Sequence, residues 1–282
     1  MEHLDGFAPL AARYRGFIVD LWGVVHDGVA PYPGAVECLR RLRDAGRRVV
    51  LLSNAPRRAA AAAAGMQAMG IGADLYAGLV TSGEVTHVLL RDRDTPAFAA
   101  LGRRLWHIGP ERDRNVFAGL DYTEAAAPAA ADFVLNTGPD DTRTPTLVDP
   151  WHAELAACRA AGLPMVCANP DLEVIRGGAR VICAGALALH YAALGGQVLW
   201  VGKPDPLVYR PVLALLDQAP AAILAVGDAL RTDIAGAAAA GVAACWVLGG
   251  IHGAELAGVE TAEAAARAAG LSPVATLPAF RW

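Results

Sequence analysis

The sequence predicts an α/β fold of doubly wound, Rossmann-like parallel sheets, and three observations carry that prediction. Short β-rich runs alternate with helical segments of about 10–15 residues, which is the pattern of βαβ units. The runs RGFIVDLW, RVVLLSN and ILAVGD are apolar almost throughout and read as buried strands. At 282 residues, 55% hydrophobic and 18% charged, the chain has room for two domains.

RGFIVDLW is the first strand, followed by a Gly/Pro-rich turn, DGVAPYPG. AVECLRRLRDA is amphipathic and is stopped by Gly46, so a helix spans Ala35 to Ala45. RVVLLSN is the second strand, and an alanine-rich helix runs from Arg57 to Met69. RLWHIG, ADFVLNTG and PMVCANP follow as strands, with a helix from Trp151 to Ala161 before the last of them. A helical GALALHYAAL, a strand QVLWVG, a helix from Pro206 to Gln218 and the strand ILAVGD come next. The helix TDIAGAAAA, the strand VAACWVLG and a final helix TAEAAARAA complete the alternation.

Composition narrows the function. The net charge is −4, without clustered basic residues or interleaved aromatics, so nucleic acid is not an expected partner. No apolar run has the length of a membrane span, and the first residues lack a signal-peptide pattern. The expected location is the cytoplasm, with no membrane partner. Five cysteines form no CxxC pair and lie in apolar surroundings, where they read as small buried hydrophobes. Twenty-three arginines accompany one lysine, Lys203. A lysine that escapes such a bias suits a place where a compact ammonium fits and a guanidinium does not. Serine is also scarce, at Ser53, Ser82 and Ser272.

Parallel sheets bind ligands at the carboxyl ends of their strands. The first strand ends in Asp20, the second in Ser53-Asn54, QVLWVG in Lys203 and ILAVG in Asp228. Taken singly, Asp228 reads equally as a helix cap and Ser53-Asn54 as a turn. Together they make a hard-oxygen site suited to Mg2+ and phosphate, with a lysine to neutralise charge and an aspartate able to attack phosphorus. GxGxxG and GxxxxGK[ST] patterns are absent, which removes the dehydrogenase and P-loop readings.

DLWGV with HDG and PYPGA, LLSNAPR, ANPDLEV, GALALHYAALGG, VGKPDPLVYRPVL and VGDALRTDIAGAAAAG occur in this order. In that order and spacing the chain resembles the haloacid dehalogenase superfamily, class IIA capped phosphatases of the NagD-like and 4-nitrophenyl phosphatase-like kind. The resemblance implies a catalytic core at 1–80 and 197–282 and an inserted α/β cap domain at 81–196. It implies Asp20 as nucleophile and metal ligand, Ser53 and Asn54 on the phosphoryl group, and Lys203 bridging nucleophile and phosphate. Asp228, Asp233 and the backbone carbonyl of Trp22 become Mg2+ ligands. Asn169 and Asp171, at a crossing between cap and core, are candidate substrate contacts, although Asn-Pro-Asp is as readily a turn. A cap-mediated homodimer is an expectation at family level only.

One position departs from the family. The residue two after the nucleophile is usually a second aspartate that protonates the leaving alcohol and then activates water. Here it is Trp22, whose indole N–H is a donor with no useful acidity. His26 and Asp27, on the flap, are the available substitutes, and HDG is equally a plain turn. Trp22 itself suits walling the pocket or stacking on a substrate ring. Two readings follow: a Mg-dependent hydrolase of small phosphorylated metabolites such as sugar phosphates or nucleotides, with altered acid–base chemistry, or a weakly active or inactive phosphometabolite-binding protein.

Overall fold

The computed structural model describes residues 1–251 and 259–282. Its strands form two parallel sheets and one antiparallel hairpin. The larger sheet has seven strands in the order Glu2–His3, Ala275–Leu277, Ala243–Val247, Ile223–Gly227, Gly16–Val19, Arg48–Ser53, Gly78–Thr81. Each pairs in parallel with its neighbour. Side chains alternate across it. Phe17, Val19, Val49, Leu51, Leu224 and Val226 enter one core layer, whereas Ile18, Val50, Leu52, Ile223 and Ala225 enter the other. Both faces are covered, which is why these strands read as unbroken apolar runs.

The helix Ala35–Asp44 covers one face. Ala35, Cys38, Leu39 and Leu42 are buried at helical spacing, and Arg41 reaches back to Glu37 at 2.9 Å on the outer side. Gly46, at φ 67°, ends the helix in the left-handed conformation that glycine adopts without a Cβ penalty.

The second sheet has five parallel strands, in the order Val198–Trp200, Met165–Cys167, Phe133–Asn136, Arg104–Ile108, Thr123–Glu124. The chain enters it through the Ser82–Asp92 helix, whose Leu89 and Leu90 pack with Phe133, Leu135 and Val166. A hairpin, Glu173–Arg176 with Ala179–Ile182, projects after the Met165–Cys167 strand. The five cysteines are free and buried. No described helix is long and apolar enough to cross a membrane.

The strand from QVLWVG belongs to the second sheet, pairing with Met165–Cys167. Lys203 therefore does not end a strand of the first sheet, as the sequence suggested, but lies where the chain crosses back to it. Val198, Leu199 and Trp200, which lie past residue 196, form an edge strand of that second sheet. A three-residue apolar strand carries no signal of which sheet it joins. Also unforeseen were the strands Gly78–Thr81 and Ala275–Leu277, the Ser82–Asp92 helix and the hairpin.

The crossings are stitched together. Ser82 is 1% exposed, and its Oγ lies 2.5 Å from the Ala168 carbonyl and 3.1 Å from the Ala55 carbonyl. Its single proton serves one carbonyl at a time. Ser82→Ala removes this hydroxyl from both carbonyls, and thermal unfolding is expected to show a loss of about 1–2 kcal/mol.

Candidate active site

The order of the larger sheet reverses between the Gly16–Val19 and Ile223–Gly227 strands, the position where such sheets bind ligands. Asp20 follows the first of these, and its backbone N–H donates to the Val226 carbonyl at 2.9 Å. Asp228 follows the second. Asp233 lies on the next segment, a widened helical turn over Leu230–Ile234 that returns it to the Ala229 N–H at 3.1 Å. Lys203 Nζ donates to Asp20 Oδ1 and Asp233 Oδ1, both at 2.6 Å, and lies 3.4 Å from the Leu52 carbonyl. All four side chains are buried.

Three carboxylates thus face one ammonium. Burial, and then repulsion from Asp233, raises Asp20 well above the usual carboxylate range despite the pull of Lys203. Burial and Asp233 push Asp228 up to about 8, against the hydrogen bond from the Ile251 N–H. For Lys203, burial disfavours the charge, but Asp20 and Asp233 outweigh it and hold the ammonium protonated. Oxygens of Asp20, Asp228 and Asp233 lie within 4.8 Å of one another. This set of hard donors with uncompensated negative charge fits a divalent cation such as Mg2+.

The backbone fits as well. The Leu21 carbonyl accepts the turn's N–H groups from Val24, Val25 and His26, whereas that of Trp22 accepts none among the described residues. Gly23 has φ 79°, and a Cβ there would lie 1.9 Å from Asp228 Oδ2. Only glycine lets this turn close against the carboxylate.

Ser53 and Asn54 sit at the adjacent strand end. Ser53 Oγ accepts from the Ala55 N–H at 3.2 Å. Asn54 spans two expected site residues: its Oδ1 accepts from the Lys203 N–H at 2.8 Å, and its Nδ2 donates to Asp171 Oδ1 at 2.9 Å. Its amide is therefore engaged in holding neighbours. Asn169 Oδ1 accepts from the Asp171 N–H at 2.9 Å, an Asx turn that sets Asp171 in place. Burial raises Asp171 above the usual carboxylate range.

Two cavities meet here. One, of about 130 Å³, is lined by Asp20, Lys203, Asp228 and Asp233. The other, of about 260 Å³, opens among Arg57, Asp113, Asn169 and the hairpin. Trp22, Asp171 and Val174 line both. Trp22 is held edge-on to His26, with ring centroids 5.3 Å apart. Gly28, at φ 82°, leaves room for its ring, since a Cβ there would lie 2.1 Å from it.

Neither flap residue is placed as a substitute acid. His26 is buried, lines neither cavity, and accepts from the Gly28 N–H through Nδ1 at 3.0 Å. Burial lowers its pKa to about 4, so it is neutral at pH 7. Asp27 accepts from the Val29 and Ala30 N–H groups and closes the flap's turn. Sequence reasoning missed Arg57, Asp113 and Arg231. Arg231 lines the carboxylate cavity and donates to the Pro170 carbonyl. In a chain with arginine as its default cation, no compositional signal marks such residues.

The raised pKa of Asp228 has a signed consequence. A carboxylate raised from 3.8 to about 8 favours folding below pH 4, and that contribution is lost as the pH rises through 8. In metal-free protein, Asp228→Asn is expected to melt above the wild type at pH 8, with the gap closing toward pH 5. The expected gap is about 2–4 °C for each kcal/mol of relieved destabilisation. Thermal melts in a chelating buffer measure it.

Comparison with known proteins accords with this geometry. The family model described as haloacid dehalogenase-like hydrolase matches residues 17–123, and a second model of HAD-like hydrolases matches 200–272. Chronophin of Bos taurus is 30% identical over 261 residues, covering 83% of this chain and 81% of its own. The ribonucleotide monophosphatase NagD of Escherichia coli K12 is 30% identical over 242 residues, covering 84% and 88%. A haloacid dehalogenase-like hydrolase from Brucella suis 1330 superposes with a TM-score of 0.83 at 33% identity, over 98% of this chain and 99% of that one. The chain belongs to the haloacid dehalogenase-like hydrolases, among the class IIA capped phosphatases.

Proposed function

We propose that this chain is a Mg-dependent phosphatase or phosphotransferase for a small phosphorylated metabolite, such as a sugar phosphate or nucleotide, working through an aspartyl-phosphate on Asp20. The observation that carries the reading is the ammonium of Lys203 held at 2.6 Å from both Asp20 and Asp233 in a buried, acidic pocket. A scaffold has no need of that arrangement, whereas phosphoryl transfer to a carboxylate requires it to offset anion–anion repulsion.

In this reading an Asp20 oxygen forms a bond to phosphorus as the bond to the leaving oxygen breaks, and water then cleaves the aspartyl-phosphate. Lys203 orients Asp20 and takes part of the charge on the transferred group. Ser53 contacts the phosphoryl oxygens, and Asn54 acts indirectly by fixing Lys203 and Asp171. Magnesium, held by Asp20, Asp228, Asp233 and the Trp22 carbonyl, would supply positive charge against the phosphate oxygens. The second sheet and its hairpin cap the site, with Asn169 and Asp171 on the substrate side of the crossing.

Trp22 supplies no proton, and His26 and Asp27 are committed to the flap. General acid–base help is worth about 10²–10⁴-fold. Acyl and aryl phosphates, whose leaving groups need little protonation, are therefore favoured over unassisted alkyl phosphates.

With Mg2+, turnover is expected in the order acetyl phosphate, 4-nitrophenyl phosphate, simple alkyl phosphate. Asp20→Asn is expected to abolish all three. If the wild type binds metal but turns over none of them, the binding-protein reading replaces this one.

Trp22→Asp restores a carboxyl at the position of the missing acid. Its kcat on an alkyl phosphate is expected to rise by about tenfold or more, with little gain on acetyl phosphate. An equal change on both substrates would mean that the tryptophan only shapes the pocket.

A further inference from the structure

The chemistry proposed at Asp20 lacks a proton donor for the leaving oxygen, since Trp22 offers none and both flap residues are committed to the turn. The carboxyl groups of the two cavities can be taken in turn. In the smaller one Asp20, Asp228 and Asp233 form the cation cluster, and Glu173 pairs with Arg180. In the larger one Arg112 pairs with Asp141 and Arg143 with Asp140. Arg57 approaches Asp113 at 3.7 Å, and Asp113 Oδ1 is sealed from solvent. Arg176, on the hairpin, has no carboxylate partner among the described residues and supplies no acid. Asp171 remains, and it alone of these carboxyl groups lines both cavities.

Asp171 is held on three sides. Its N–H donates to Asn169 Oδ1 at 2.9 Å, its carbonyl accepts from the Gly185 N–H at 3.1 Å, and its Oδ1 accepts from Asn54 Nδ2 at 2.9 Å. Oδ2 has no hydrogen-bond partner among the described residues and, unlike Asp113 Oδ1, is not sealed from solvent. With Oδ1 accepting from an amide, Oδ2 is where a neutral carboxyl carries its proton. Burial raises the carboxyl above its usual range against the pull of Lys203, of the Asn54 hydrogen bond and of Arg231, with Asp233 adding to the rise. A residue that served only to hold the crossing would use Oδ1 and the backbone, and would have no need of an open Oδ2.

We propose that Asp171 is the general acid of the reaction, giving its Oδ2 proton to the leaving oxygen from the crossing rather than from beside the nucleophile. The proposal rests on the phosphatase reading above and names the proton donor that reading lacks. Attacking and leaving oxygens lie in line in phosphoryl transfer. A leaving oxygen opposite Asp20 therefore points away from the strand end, toward the boundary between the cavities where Asp171 sits. As the Asp20–phosphorus bond forms and the bond to the leaving oxygen breaks, the Oδ2 proton passes to that oxygen. The alcohol departs and Asp171 is left as a carboxylate. Water then attacks phosphorus, the bond to Asp20 breaks, and the proton that the water loses returns to Asp171. Asn54 keeps the parts in register, because the amide that holds Asp171 also accepts from the Lys203 N–H.

The test uses 4-nitrophenyl, phenyl and ethyl phosphate, whose leaving groups need protonation to a rising degree, assayed with Mg2+. Assistance from Asp171 narrows the gap between aryl and alkyl esters and leaves their order unchanged, so wild-type kcat/KM is expected to fall shallowly along the series. Asp171→Asn keeps the acceptor for Asn54 and loses the acid. Its kcat/KM is expected to fall by about 10²-fold or more on ethyl phosphate and to change little on 4-nitrophenyl phosphate, which also shows that the variant folds. Its kcat on 4-nitrophenyl phosphate is expected to drop while kcat/KM holds, because the second step loses its base. An equal fall across the series would make Asp171 a positioning residue and overturn the proposal, as would an unchanged series. A steep fall already in the wild type, which needs no variant, would overturn it as well. These outcomes leave the phosphatase reading standing. If the wild type turns over no phosphate ester or acetyl phosphate, that reading fails and the proton donor falls with it.

Discussion

Three buried carboxylates share one ammonium, and much of the molecule can be understood as the means of keeping them together. Like charges at this separation repel strongly once water is gone. Lys203 offsets part of that by reaching Asp20 and Asp233 at once, and Ile251 and Ala229 offset more through their backbone N–H groups. The residual negative charge suits the pocket to a cation. The compact Nζ atom fits between the two carboxylates at 2.6 Å from each, a position into which the larger, planar guanidinium of arginine does not fit in the same way.

The second sheet is built into this arrangement. Asn54 holds the backbone of Lys203 and the side chain of Asp171 simultaneously. Ser82 sits between the carbonyls of Ala55 and Ala168. With Asn54 reaching Asp171, Arg57 approaching Asp113 and the Arg58 N–H donating to Asn115, the loop after Ser53 is tied to both sheets' layers.

How much of this was legible depended on how unusual each residue was in its background. Lys203 stood out as the only lysine, and Asp20 and Asp228 as acids closing apolar runs. Arg57 was one arginine in twenty-three, and its approach to Asp113, 56 positions away, shows only in three dimensions. The membership of VLW in the second sheet was hidden for a related reason: a short apolar strand fits any sheet edge, and only its neighbours decide. His26 looked like a proton donor because histidine titrates near neutrality. Burial beneath the flap, visible only in three dimensions, removes that property.

Lys203 and Asp20 are 183 residues apart, and Asp233 lies 30 residues further on. The larger sheet therefore cannot be completed until the whole insertion has been synthesised and its ends brought side by side. A ribosome-bound chain that has emerged only through the second sheet carries Asp20 without its cation or its acidic partners. The buried charge cluster of Asp20, Lys203, Asp228 and Asp233 is therefore assembled only late in biosynthesis.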